Sequence, residues 1–167
     1  MTDVAPPRPL LSPEHIALID KGVSAIVASR DAALRPSLMR AVGTRISADG
    51  MQITVFVARG QSRQLLQDVA ATGRVAVVFS QPLSHRTVQV KASEAALRPA
   101  EEADLPVLHR YLASMEDEVG AVGIDAPFVR AMLSYRLDDL VAISFTPVEA
   151  FDQTPGPKAG SALPASA

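Results

Sequence analysis

The segment Arg59 to Gln64, RGQSRQ, sets a serine and two arginines between an apolar, β-branched run and a run with helical spacing. A serine just ahead of a helix can accept a backbone N–H, and the first turn behind it offers further unpaired N–H groups at the positive end of the helix dipole. That combination is a phosphate-sized anion site. Arg59 and Arg63 add two permanent cations whose planar donor forks match phosphate oxygens. The same residues also read as an ordinary cap, Ser62, between solvated arginines, because serine is a common cap.

A second segment, Arg35 to Arg40, RPSLMR, reads as part of a strand. Alternation sends Pro36, Leu38 and Arg40 to one side and Arg35, Ser37 and Met39 to the other. Either set could line a groove, although arginine on an edge strand also serves solubility. The remaining ionisable residues form no familiar constellation. His15, His85 and His109 stand alone, without the spacing of a metal motif. Glu116-Asp117-Glu118 and Asp138-Asp139 read as solvated helix ends, because neighbours on a helix point in different directions and do not converge on one ion. There is no Gly-rich dinucleotide loop, Walker loop, Gly-x-Ser-x-Gly elbow or His-Glu-x-x-His.

Those residues must be held by a chain of 167 residues, 48% hydrophobic and 20% charged, with a formal charge of −2. Such a chain supports one core and one soluble domain, and no apolar run approaches the roughly 20 residues of a bilayer span. With no cysteine, thiolate nucleophiles, zinc-thiolate sites and disulfides are excluded. The first residues lack the pattern of a signal peptide, so the expected compartment is the cytoplasm. Aromatic residues are 4% and Trp is absent, which argues against a base-stacking nucleic-acid surface. The charge is unevenly spread: from Arg30 to Arg98 ten basic residues face four acidic ones, a local +6, and from Pro99 to Asp152 three face eleven, a local −8. The basic half suits an anionic partner, and the acidic half a solvated helical face.

Local patterns predict the elements. Ser12-Pro13-Glu14 opens a short helix that Gly22 ends, and Val23–Arg30, Arg35–Ser47 and Met51–Ala58 read as three consecutive antiparallel strands, with Gly43 a bulge or close-approach point. Ser62–Thr72 is a helix stopped by Gly73, with Leu65, Leu66 and Val69 on its apolar face. Arg74–Phe79 and Arg86–Ala92 are strands, the second extendable through Glu94–Leu97. A long helix follows Pro99, a second covers Phe128–Leu137, and Leu140–Phe151 is a final strand. Proline clusters mark the ends, so residues 1–11 are expected to be a flexible arm, 12–153 the folded domain and 154–167 a Pro/Gly-rich tail. The expected class is mainly β with α (α+β), a small antiparallel split β-barrel with flanking helices.

The stretch Arg35 to Pro99 resembles the pyridoxamine 5′-phosphate oxidase-like, FMN-binding split-barrel family. Its strand, hairpin, strand, Ser62-Arg63 turn and short helix, followed by Thr72-Gly73-Arg74-Val75 and Arg86-Thr87-Val88-Gln89-Val90, carry the likeness. The resemblance implies a homodimer with FMN at the subunit interface. Ser62 and Arg63 would then hold the phosphate, with Gln61 beside them among the cofactor-binding residues; Ser37, Met39 and Arg40 would lie along the flavin or ribityl chain; Val57 and Ala58 would line the ring; Thr87 and Gln89 would approach from a later strand. The family pattern is incomplete: Gln64 stands where oxidases commonly have a basic residue, and their C-terminal Trp-containing segment is missing. Oxidation of pyridoxamine phosphate itself is therefore not expected. The resemblance points to a flavin-dependent oxidoreductase or reductase of unspecified small-molecule substrate, with heme or a deazaflavin as alternative cofactors. The competing expectation is a non-enzymatic flavin- or heme-binding module that senses or stores its ligand. Neither nucleic acid nor a membrane is an expected partner.

Overall fold

A computed structural model of the chain describes residues 9–164. The first helix, α1 (Pro13–Lys21), starts where Ser12 accepts the His15 N–H and ends at Gly22, whose φ of 87° closes the last turn through an N–H to Ile19 O. The strands β1 (Ser24–Arg30), β2 (Pro36–Arg40), β3 (Gly43–Ile46) and β4 (Ile53–Ala58) follow. Then come α2 (Arg63–Thr72), β5 (Val75–Ser80), β6 (Thr87–Ala92), β7 (Ala96–Pro99), α3 (Leu105–Gly120) and α4 (Ala126–Met132). The last elements are β8 (Leu140–Phe145), β9 (Glu149–Asp152) and β10 (Ser161–Ala162).

These strands form two antiparallel sheets, ordered β10-β9-β6-β5-β1-β2 and β3-β4-β8-β7. Three stretches expected as single strands are each broken and pass from one sheet to the other. Arg35–Ser47 divides at Ala41 and Val42: the Ala41 N–H bonds to Ala25 O in the first sheet and the Val42 N–H to Phe56 O in the second. The run from Arg86 to Leu97 breaks after Ala92, and Leu140–Phe151 breaks at Thr146-Pro147-Val148. Proline supplies the physical reason in the last case, since it can donate nothing to a ladder. Residues 128–137, expected as one helix, hold α4 earlier, from Ala126, and a short 3-10 turn at Leu137–Asp139.

Alternation along β4 explains why all six of its residues are buried. Ile53, Val55 and Val57 enter a core between the sheets, with Val27, Val77, Val90 and Ile143; Phe56 and Ala58 face a second cluster with Leu108, Tyr111 and Met115 of α3 and Val129 of α4. Gly43 is the close-approach point between β3 and α3, because a Cβ there would lie 2.5 Å from Leu108 Cδ2 and 3.1 Å from Phe56 Cδ2. The second sheet is thus covered on both faces. α2 joins the central core through Leu65, Leu66 and Val69, so it fills the inner side of the first sheet.

Near both ends of the described residues the chain packs on the domain. Leu11 is buried and Leu10 packs on the core, while the arm before residue 9 lies outside the described residues. In the tail, Gly160 N–H bonds to Asp152 O and Leu163 N–H to Ala150 O, which makes β10 the edge strand. No helix among the described residues is long and apolar enough to cross a membrane.

Candidate functional site

The N-terminus of α2 is built as the residue types require, with one difference. Ser62 is 2% exposed, yet its hydroxyl caps no backbone N–H and has no hydrogen-bond partner. The expected capping bond is absent because Ser62 takes φ −116° and ψ 22°, outside the extended conformation of a regular N-cap. Gln61 and Arg63, both exposed, flank it. The preceding loop is pinned from another element: Arg59 N–H donates to Asp139 O at 2.7 Å, and Gly60 N–H to the Asp139 carboxylate at 3.1 and 3.3 Å. The arrangement combines a helix dipole, unpaired first-turn donors, an orphaned hydroxyl and nearby guanidinium groups. Chemically it is suited to an anion and particularly to a phosphate.

One turn into α2, Asp68 is 3% exposed and organises the neighbouring strand. It accepts from Ser37 Oγ at 2.5 Å and from Gln64 Nε2 at 2.8 Å. Ser37 and Met39 therefore face inward, toward α2 and the core, where Met39 packs. Arg40 lies on the other face of β2, donating to Ser24 Oγ at 2.8 Å. Along the ladders Arg40 stands beside Ile26, Ile26 beside Val78, Val78 beside Gln89 and Gln89 beside Phe151. Thr87 lies on that same outer face, hydrogen bonded to Ser80 at 2.8 Å.

The sequence-predicted site residues thus separate into groups. Gln61, Ser62 and Arg63 gather at the start of α2, Ser37 and Met39 lie inside the first sheet, and Arg40, Thr87 and Gln89 share its outer face. Val57 sits in the central core and Ala58 beneath α3 and α4, so their side chains are turned into packing.

Two carboxylates that matter here escaped sequence reasoning. Asp68 follows Gln64 by four residues, the spacing of a side-chain pair on one helix face, and that was its one local signal. Asp139 was expected as part of a solvated cluster. Instead it ties the loop ahead of α2 to the start of β8, while Asp138 pairs with Arg136. The other acidic cluster is also less solvated than expected. Glu118 is 2% exposed and accepts from Lys21, from Gln81 Nε2 at 2.8 Å and from Leu83 N–H at 3.4 Å.

No protein-family model matches the chain, and no curated protein matches it in sequence. Solved structures nevertheless share its architecture. HupZ of Group A Streptococcus superposes with a TM-score of 0.53 at 15% identity, over 90% of this chain and 99% of that one. A candidate pyridoxamine 5′-phosphate oxidase of Lactobacillus delbrueckii gives 0.52 at 16% identity, over 90% and 99%. An F420 reductase gives 0.56 at 12% identity, over 84% and 98%. The chain has the pyridoxamine 5′-phosphate oxidase-like fold, as mixed α+β with two antiparallel sheets and four helices among the described residues.

Proposed function

We propose that this chain is an FMN-dependent oxidoreductase or reductase acting on a small molecule, with the cofactor phosphate at the N-terminus of α2. The observation that carries this reading is the buried, unpartnered Ser62 hydroxyl at the start of a ten-residue helix beside Arg63. A buried hydroxyl left unpaired costs about 1–3 kcal/mol, and a phosphate oxygen is a partner of the right chemistry. The exposed Arg63 and Gln61 would meet that phosphate first, and the Ser62 hydroxyl would join after turning outward. A fold shared with an F420 reductase and a candidate pyridoxamine 5′-phosphate oxidase supports the same class of cofactor.

Bound there, FMN would supply the hydride or electron chemistry, and the protein position and electrostatics. Ser37 and Met39 face the opposite side of the first sheet from Arg40, Thr87 and Gln89. A single ligand can touch both sets only if two copies contribute, so the reading includes a homodimer. The three chain crossings between the sheets agree with a split barrel whose second copy completes the site.

The Ser62→Ala/Arg63→Ala pair is expected to raise the Kd for FMN at least tenfold, about 1.4 kcal/mol, as read by quenching of flavin fluorescence. Unchanged affinity would reject the phosphate assignment. Turnover is tested separately: sustained NAD(P)H consumption by the FMN-loaded protein supports the oxidoreductase reading. Tight binding with no consumption under NAD(P)H or other reductants would replace it with a flavin-sensing or flavin-storing module.

A further inference from the structure

On the outer face of the first sheet, where β1 ends and β5 begins, lies a cleft of about 330 Å³. Its floor is made by two small residues, Ala28 of β1 and Ala76 of β5, which are direct neighbours in the ladder. Alanines at paired positions leave a shallow recess with a flat apolar base. Three cations stand around it: Arg30 at the end of β1, Arg74 just ahead of β5, and Lys91 near the end of β6.

Among the described residues none of these cations has an ion-pair partner. Arg30 donates only to the backbone oxygen of Asp31, at 3.0 Å, and Lys91 Nζ lies 4.6 Å from the centre of the Phe151 ring. Glu149 also lines the cleft and is the ladder neighbour of Lys91, but it too makes no ion pair. The balance of three positive charges and one negative charge is +2. Clefts that pair an apolar floor with a few convergent charged groups are the usual form of small-ligand sites.

We propose that this cleft binds a small organic anion with a flat apolar body, an aryl phosphate or aryl carboxylate, the ring lying on Ala28 and Ala76 and the anionic end meeting Arg30, Arg74 and Lys91. The site is separate from the start of α2. That helix has ten residues, so it is about 15 Å long, and Arg74 lies beyond its far end. The cleft shares the outer face of the first sheet with Arg40, Thr87 and Gln89, Ala28 being the ladder neighbour of Leu38 and Lys91 lying two residues from Gln89, but the inference does not require a flavin phosphate at the start of α2.

The test is titration of the isotope-labelled full chain with 2-naphthyl phosphate, followed by NMR, with 2-naphthol and inorganic phosphate as separate arms. The expected result is saturable binding of 2-naphthyl phosphate, with the amides of Ala28, Ala76 and Lys91 shifting, and at least tenfold weaker binding of either fragment alone. Arg30→Gln/Arg74→Gln should weaken that binding at least tenfold, while Ser62→Ala/Arg63→Ala should leave it unchanged. If the arginine pair fails to fold, as the same spectra show, Lys91→Gln and the recess-filling Ala28→Leu carry the test. No saturation at millimolar concentration would overturn the proposal. So would equal binding of neutral 2-naphthol, equal binding of inorganic phosphate alone, or displacement by FMN, which would make this cleft part of the cofactor site.

Discussion

A buried serine hydroxyl bonded to nothing is uncommon enough to need a reason, and the reason proposed for Ser62 is that it serves as a donor to a phosphate. The Tyr111 and Ser114 hydroxyls on α3 are also buried and unpartnered, but neither lies at the start of a helix, whereas the buried carboxylates Asp68, Asp104 and Glu118 are all paired. Asp104, 2% exposed, takes a two-pronged hydrogen bond from Arg98 at 2.7 and 2.8 Å and a further one from the Glu101 N–H at 2.9 Å. The Arg98 hydrogen bonds hold its carboxyl below the usual carboxylate range. A depressed native pKa stabilises the fold above the ordinary carboxylate pKa, and that stability is lost as pH falls through the native value. Asp104→Asn should therefore cost about 1.5–3 kcal/mol near neutral pH, by urea unfolding, and the difference from the parent chain should shrink below about pH 4. A constant difference across that range would contradict the assignment. Neither Asp68 nor Asp104 could be singled out from sequence alone, because their partners Ser37 and Arg98 are chosen by strand placement rather than by local spacing, even though Gln64 lies one helical turn from Asp68.

At the scale of elements, most helices and strands were legible because their apolar residues recur at the right period and their ends carry caps, as at Ser12, Gly22 and Gly73. The sheet crossings were not. A strand that leaves one sheet and enters another keeps the same local residue pattern, so Arg35–Ser47 gives no sign that Ala41 bonds to β1 and Val42 to β4. Gly43 was the one local clue. Gly43→Ala should destabilise the fold by about 1–3 kcal/mol through the contact with Leu108 and Phe56, read as a lowered urea midpoint. Gly73→Ala should cost more, because Gly73 has a φ of 67° and an added Cβ would lie 2.6 Å from the backbone oxygen of Ser93. The reverse ranking would show that the link between α2 and β5 can yield where the α3 contact cannot. Glu118 has an element-scale role, joining α3 to α1 and to the loop after β5. Glu118→Ala should speed amide hydrogen exchange at Gln81 and Leu83 while leaving β4 protected; uniform loss of protection would mean that the whole fold depends on it.

The whole molecule is asymmetric. Its second sheet is buried on both faces, while the outer face of the first carries Leu38, 64% exposed, together with Arg40, Thr87 and Gln89, and no helix among the described residues packs on it. The uneven charge seen in the sequence has a counterpart here, since the basic half contains both proposed anion sites and α3 belongs to the acidic half. If two copies meet through this face, light scattering should give twice the chain mass, and Leu38→Glu should halve it without lowering thermal stability of the monomer. An unchanged dimer would move the interface elsewhere. Absorbance and fluorescence titration of the purified chain with FMN reads directly whether the start of α2 holds a flavin phosphate. Saturable binding with quenched flavin fluorescence is expected, lost in Ser62→Ala/Arg63→Ala. Absence of binding by FMN, or a Soret band with heme that the same pair of substitutions leaves intact, would contradict it.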